Sequence, residues 1–269
     1  MAWWKAWSEA EGRSVTGALN FDPAPDAQIL FKAMKGLGTD EQAIIDVLTK
    51  RSNMQRQQIA KSFKGQFGKD LIASLKSELS GSFQRLMVAL MYSPFKYDAK
   101  ELYDAMKGER DNATLYVDTA LALQDAQALY AAGEKIQGTD EVQFIKILCA
   151  RSATHLLKVF EEYQKLAGKS IEDSIKSETS GSLEDAMLAI VKCTRSVHRY
   201  FAERLYHALK GAGTSDGTLT RVIVSRSEVD LNLIQAEFKH IAGKSLSSMI
   251  LDDTSGDYKT ALLNLCGSD

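Results

Sequence analysis

Met34-Lys35-Gly36-Leu37-Gly38-Thr39-Asp40-Glu41, MKGLGTDE, is the stretch on which the reading of this chain turns. Two glycines flank one residue, a threonine follows, and apolar residues stand at helical spacing on both sides. Related wording returns at Gly133-Glu-Lys-Ile-Gln-Gly-Thr139 and at Leu209-Lys-Gly-Ala-Gly-Thr214. With the three threonines as origin, Arg-Ser falls at 51–52, 151–152 and 226–227. Gly-Lys falls at 68–69, 168–169 and 243–244, and Ser-Gly at 80–81, 180–181 and 255–256. Each of these offsets, from 12 to 42, holds without a gap in all three copies, the mark of an internal repeat.

Within a copy the apolar spacing is helical: Ala43, Ile44, Val47 and Leu48, then Ile59, Phe63 and Phe67, then Leu86, Val88, Leu90 and Met91. The chain has 3 prolines in 269 residues, and no segment shows sustained alternation. The pattern predicts an all-α protein with about five short helices in each repeat of roughly 70 residues. The origins are unevenly spaced, however: Thr139 to Thr214 is 75 residues and Thr39 to Thr139 is 100. The longer interval holds Asp104-Ala-Met-Lys-Gly-Glu-Arg-Asp111, which begins like another copy but never reaches a second glycine. Residues 97–108 therefore read as the first helix of a repeat whose other helices are missing. The expected organisation is an arm at 1–23, a first repeat at 24–95, a remnant at 96–110, a linker at 111–122, and full repeats at 123–195 and 196–269.

A single glycine loop of this kind is an ordinary helix connector: glycine ends one helix, and Thr39 with Gln42 forms a capping box for the next. A phosphate-binding loop is excluded, because no strand precedes it and no Lys-Ser/Thr follows. The acids change the argument. Glu78, Glu178 and Asp253 lie at an offset of 39 from their threonines, in KSELSG, KSETSG and LDDTSG. Such an acid can favour the N-terminus of the following helix, with Ser82, Ser182 or Asp257 as cap. That accounts for the turn but not for its pairing with the glycine loop. Calcium accounts for both, since it takes backbone carbonyls, a bidentate carboxylate and waters, and glycines let a loop turn several carbonyls to one point.

K-G-x-G-T with an acid 39 residues on, in an S/D-E/D-x-S-G turn, is similar to the annexin repeat, and the likeness runs from about residue 24 to 267. The resemblance implies five-helix repeats in a curved right-handed superhelical array, here three full repeats plus a one-helix remnant. First pairs with fourth repeat and second with third, so the third repeat here lacks its packing partner. It further implies Ca2+-dependent, reversible binding to anionic phospholipid. Carried over by position, one site uses Met34, Gly36, Gly38 and Glu78; another uses Gly133, Ile136, Gly138 and Glu178, in a longer loop; the last uses Leu209, Gly211, Gly213 and Asp253. Met106 and Gly108, in the remnant, form no site. Implied partners are phosphatidylserine or phosphoinositide membranes and F-actin, with anticoagulant or phospholipase-inhibiting action and a cytoplasmic protein docking on plasma or endosomal membranes. The missing partner repeat predicts lower stability or self-association through the third repeat.

Bulk composition bounds the alternatives. Lys+Arg 33 against Asp+Glu 35 gives a net charge of -2, so no general attraction to nucleic acid or anionic surfaces exists. MAWWKAWSEAEGR lacks the apolar run of a signal peptide, and no stretch approaches the ~20 apolar residues of a membrane span. Cys149, Cys193 and Cys266 suit reduced thiols in helices, and the four histidines form no ligand pattern with them. No nucleophile–base pair argues for an enzyme. The competing reading is a helical-repeat interaction scaffold without calcium sites. Trp3, Trp4 and Trp7 are expected to fold their arm against the body, Leu37 alone among the loop tips is apolar enough to touch lipid, and Arg51, Arg151 and Arg226 are expected to serve helix ends.

Overall fold

The computed structural model describes residues 12–36, 38–92, 117–134, 140–211 and 213–267. The arm tryptophans, the remnant at 97–108 with Met106 and Gly108, the loop tips Leu37, Gln137 and Ala212, and the site candidates Ile136 and Gly138 lie outside these residues. Among the described residues there are fifteen α-helices and no strand. The chain divides into two compact units, one made of residues 1–99 and 201–269, the other of 100–200.

The first unit contains α1 (Pro23–Ala33), α2 (Glu41–Leu48), α3 (Asn53–Phe67), α4 (Leu71–Glu78) and α5 (Gly81–Met91). From the C-terminal end of the chain it takes α11 (Val197–Leu209, from Phe201 on), α12 (Asp216–Arg226), α13 (Leu231–Ala242), α14 (Leu246–Asp253) and α15 (Gly256–Cys266). Each five-helix set is built alike. Ser52 caps α3 with a full capping box to Gln55, and Gly68 ends it in the left-handed region at φ 66, where glycine carries no Cβ penalty. Gly243 does the same for α13 at φ 70. Ile44, Val47 and Leu48 of α2 are buried as expected, and so is Ile45, on the side that the amphipathic pattern assigns to solvent. The reason is a second packing surface: α5 packs on α12 and α15, and α2 on α15, so the two sets share one core running through Ile45, Leu86, Leu90, Ala261 and Leu265.

Polar bonds seal that joint. Arg56, 1% exposed, pairs with Glu228 at 2.6 Å and donates to the carbonyls of Leu90 and Leu48 at 2.9 and 3.1 Å. Ser82 donates to the Asp216 carboxylate. The segment at 12–18 runs over both sets: Ser14 and Val15 donate their N–H groups to the Ser227 carbonyl, Asn232 donates to the Gly12 carbonyl, and Ala18 exchanges bonds with the Gln55 side chain.

The second unit holds one set: α6 (Thr119–Gly133), α7 (Glu141–Ala150), α8 (Ala153–Ala167), α9 (Ile171–Glu178) and α10 (Gly181–Arg195). Its core is Leu129, Phe144, Leu148, Val159, Tyr163 and Ile175 with their neighbours. The second set is closed by ion pairs. Arg151 binds Asp125 through two nitrogens, at 2.7 and 3.0 Å, and His155 Nε2 lies 2.9 Å from the same carboxylate. Burial pushes the Asp125 carboxyl up, and the hydrogen bonds from Arg151 and His155 outweigh it, holding the group below the ordinary carboxylate range.

These pairs refine the expectation for the three arginines. All are structural, but Arg51 serves Asp26 at 2.7 and 3.1 Å and Arg151 serves Asp125, carboxylates on the first helix and not helix-end carbonyls. In the last set Phe201 stands at that position. Arg226 lies 4.8 Å from the Phe201 ring centre and takes Asp230 as its acid. Cys149, Cys193 and Cys266 sit in helices and form no disulfide among the described residues. No described helix is long and apolar enough to cross a membrane.

Candidate functional site

Each set presents two interhelical loops, and the candidate residues divide between them. The glycine loop follows the first helix. It is closed by one backbone bond that recurs: Asp40 N–H to Ala33 at 2.9 Å, Asp140 to Ala132 at 2.9 Å, and Ser215 to Ala208 at 2.8 Å. The second loop is one residue longer between the bonded groups, as its sequence spacing implies. Within the closed loops Gly36 and Gly38 have φ 123 and 90, and Gly211 and Gly213 have φ 140 and 118. These are conformations that side-chain-bearing residues rarely adopt. The space where their Cβ atoms would stand is empty to 4 Å, so the glycines answer a demand on carbonyl direction and not on room. Met34 is half-buried and Leu209 fully buried, which fixes the start of each loop to the core beneath.

The acidic turn lies between the fourth and fifth helices. α4, α9 and α14 are each eight residues long and end on the acid itself: Glu78, Glu178 and Asp253. The chain then passes through extended Ser80, Ser180 or Ser255 to a glycine at φ 61, 66 or 62. Two expectations about capping are corrected here. Ser82, Ser182 and Asp257 lie inside α5, α10 and α15; the cap positions belong to Ser80, Ser180 and Ser255, whose side chains make no cap bond. At the start of α2 the cap is Asp40, accepting from Ala43 N–H at 3.0 Å, and not Thr39. Asp140 repeats this, accepting from Gln143 N–H.

The placement of the acids is informative. A carboxylate on the last residue of a helix faces the negative end of the helix dipole, where a carboxylate is disfavoured by about 0.3–1 kcal/mol. Helix energetics therefore give no reason for an acid in this position three times. In the last set and in that of the second unit, loop and acid are also brought together. Thr214 Oγ1 donates to the Asp253 carbonyl at 3.1 Å. A Cβ on Gly133 would stand 3.7 Å from Cγ of Glu178. Beside the first glycine loop an open cavity of about 590 Å3 is lined by Lys32, Lys35, Gly38, Thr39 and Asp257.

These groups suit a hard cation. Carbonyl oxygens freed by positive-φ glycines, one carboxylate from a second loop and open solvent above are the donors that calcium takes. Among the described residues no three His, Cys, Asp or Glu side chains converge on a metal-sized point.

The second unit adds a network that sequence reading missed. Glu134, directly after Gly133, receives Lys169 Nζ at 2.8 Å, Ser174 Oγ at 3.0 Å and Tyr163 Oη at 3.4 Å. The Lys169 bond lowers the Glu134 pKa despite partial burial. Burial and the neighbouring acids push Tyr163 up to about 12. The signal was present as a charge reversal: Lys35 and Lys210 follow Met34 and Leu209 in the other two loops, and Glu134 follows Gly133 here.

The family profile described as Annexin matches residues 25–90, 124–190 and 200–265. Annexin A8 of Bos taurus is 62% identical over 326 aligned positions, covering 100% of both chains. Against 269 residues here, at least 57 of those positions are filled by the relative alone. A structure of an annexin A8 point mutant with an intact N-terminus superposes with a TM-score of 0.87 at 60% identity, covering 96% of this chain and 98% of that one. A calcium-bound annexin, (Sm)1, superposes with a TM-score of 0.77 at 28% identity, covering 95% and 93%.

Proposed function

The chain belongs to the annexin family, and from that premise we propose that it binds anionic phospholipid surfaces reversibly and without catalysis, through Ca2+ held at its glycine loops. The observation that carries this reading is the acid on the dipole-disfavoured last residue of α4, α9 and α14, with Glu178 and Asp253 lying beside their own glycine loops. Met34, Gly36 and Gly38 offer carbonyls to one ion with Glu78. Leu209, Gly211 and Gly213 do so with Asp253, and Gly133, Ile136 and Gly138 with Glu178. Bound calcium supplies a positive, oxygen-seeking bridge to lipid phosphate. The chain's part is to aim carbonyls, to hold the carboxylate close by, and to leave the outer side open to a headgroup. With a net charge of -2 the protein has no bulk attraction to such a surface, so release follows when calcium falls.

Phosphatidylserine and phosphoinositides are the expected headgroups, on plasma or endosomal membranes facing the cytoplasm. Coverage of anionic lipid gives anticoagulant and phospholipase-inhibiting action as a direct physical consequence, and F-actin contact and self-association through the third repeat complete the proposal. The second unit is read as that third repeat, and residues 96–110 as the remnant of the second.

The test is co-sedimentation with phosphatidylserine vesicles in calcium and in excess chelator, beside the triple variant Glu78→Gln, Glu178→Gln, Asp253→Asn. Calcium-dependent pelleting that the variant loses is the expected result. A folded protein that stays in the supernatant in calcium would favour the scaffold reading instead.

A further inference from the structure

The second unit exposes a face that the first unit buries. At the position of Ile45 and Thr220, 0% and 5% exposed, Ile145 is 42% exposed. Val142, one turn earlier on α7, is 73% exposed and flanks this face, since its counterparts Gln42 and Gly217 are exposed as well. Cys149 is exposed where Thr49 is buried, and Ala186 is exposed where Leu86 and Ala261 are buried. Ile190 on α10 is half-buried where Leu90 and Leu265 are covered. At Ile145, Ala186 and Ile190, α7 and α10 thus carry an apolar face whose counterparts in the first unit are interior.

This chain itself records what covers such a face. In the first unit the second and fifth helices of one set pack on the second and fifth helices of another, α5 on α12 and α15 and α2 on α15, so the surface is matched by a copy of itself. We infer that the exposed face of α7 and α10 pairs with the same face of a second copy of this chain, in a two-fold dimer that repeats the joint of the first unit. Polar complementarity supports a copy as the occupant. Ser82 donates to Asp216 across the internal joint. The equivalent positions of the second unit hold Ser182 and Glu141, donor and acceptor in one repeat, so a two-fold axis forms that bond twice.

The area also sets the strength. Helices of ten and fifteen residues rise about 15 and 22 Å, and two neighbours about 10 Å wide give a planar footprint of roughly 370 Å2 per copy. Side-chain relief enlarges this, but the total falls near the lower edge of the ~1,200–2,000 Å2 of stable complexes, so the dimer is weak and dissociates on dilution. Asp185 takes the place of Arg85, whose guanidinium lies 3.6 Å from Asp216. In the dimer Asp185 approaches a second copy's Glu141, so added salt strengthens association.

The experiment is sedimentation velocity in excess chelator without vesicles, which keeps its outcome independent of the calcium reading. Over a roughly hundred-fold dilution series the apparent mass is expected to change about twofold. Val142→Glu with Ile145→Glu should hold it at one chain at every concentration, with helical circular dichroism unchanged. Val142→Thr with Ile145→Thr, which keeps β-branching and adds only hydroxyls, should shift the transition to higher concentration. A one-chain mass throughout for the parent protein overturns the proposal, as does a dimer that both variants leave intact. Calcium-independent pelleting of a monomeric parent with neutral phosphatidylcholine vesicles, lost in the variants, would overturn it in favour of a lipid occupant.

Discussion

The two units are built from one repeat, and they differ in what covers it. In the first unit two five-helix sets close on each other, α2 and α5 are wrapped on both sides, and a buried arginine organises the joint. In the second unit a single set keeps its own core, and the outer side of α7 and α10 faces solvent. The sequence at that face stayed apolar at Ile145, Ala186 and Ile190. The repeat's internal core is thus sufficient to define its helices, and the shared joint supplies stability that the lone set does without.

Arg56→Ala should produce the largest effect. It leaves Glu228 with the Asn53 N–H but no cation and takes the donor from the carbonyls of Leu48, Arg51 and Leu90, and breaking a buried pair costs about 3–5 kcal/mol. The second unit has Leu156 at this position, so scanning calorimetry should show only the transition of the first unit move. Equal movement of both units would break the comparison.

Ile45→Ala and Ile145→Ala, measured separately in dilute solution, address the face itself. The first empties a fully buried site and should cost about 2–5 kcal/mol. The second trims a part-exposed side chain and should stay within roughly 0.5 kcal/mol by denaturant titration. A large cost at Ile145 would mean that something covers the face in the monomer.

Asp125→Asn should lower the stability of the second unit by about 2 kcal/mol, the scale of hydrogen bonds to a charged group. In a unit this small each kcal/mol moves the melting temperature by about 4–8 °C, against about 2–4 °C in one twice its size, so Asp26→Asn should move the first unit by fewer degrees. The same carboxylate gives a pH dependence. Its folded pKa lies below its unfolded value near 3.9, so its contribution is complete above that value and is lost as pH falls through the folded pKa. Glu134 and Glu172 are shifted the same way, Glu172 by the Arg195 hydrogen bonds that outweigh its burial. Acid titration below about pH 4 should therefore weaken the second unit, and Asp125→Asn should flatten that loss. The smallest expected change is Lys158→Ala. Its surface ion pairs with Glu161 and Glu162 are solvated, and the melting temperature should not move measurably.

Repeat offsets made the helices legible, because the spacing of Ile44, Val47 and Leu48 or Ile59 and Phe63 is a direct statement about which side is buried. Ile45 was not legible as core, since the surface it meets comes from a set more than a hundred residues away. Caps were misplaced by one or two residues because Thr39 and Asp40, or Ser80 and Ser82, are equally good capping residues, and only backbone direction decides between them. The approach of Thr214 to Asp253 and of Gly133 to Glu178 was anticipated by the constant offset between glycine loop and acid. The Glu134–Lys169 bond and the exchange of an aspartate for Phe201 were not, since each departs from the repeat and so lies outside what a repeat can announce.

The first unit is interrupted in sequence by the second, and this orders events on the ribosome. The last residue of α5 is Met91, yet the helices that cover it end at Cys266. At about 5–20 residues per second, α5 waits roughly 9–35 seconds for its partner, while the second unit, contiguous in sequence, has all its contacts as it emerges. The better-packed unit of the finished protein is the one that spends synthesis with its apolar surface open, and nascent-chain binding factors should be met there, at Ile45, Leu86 and Leu90.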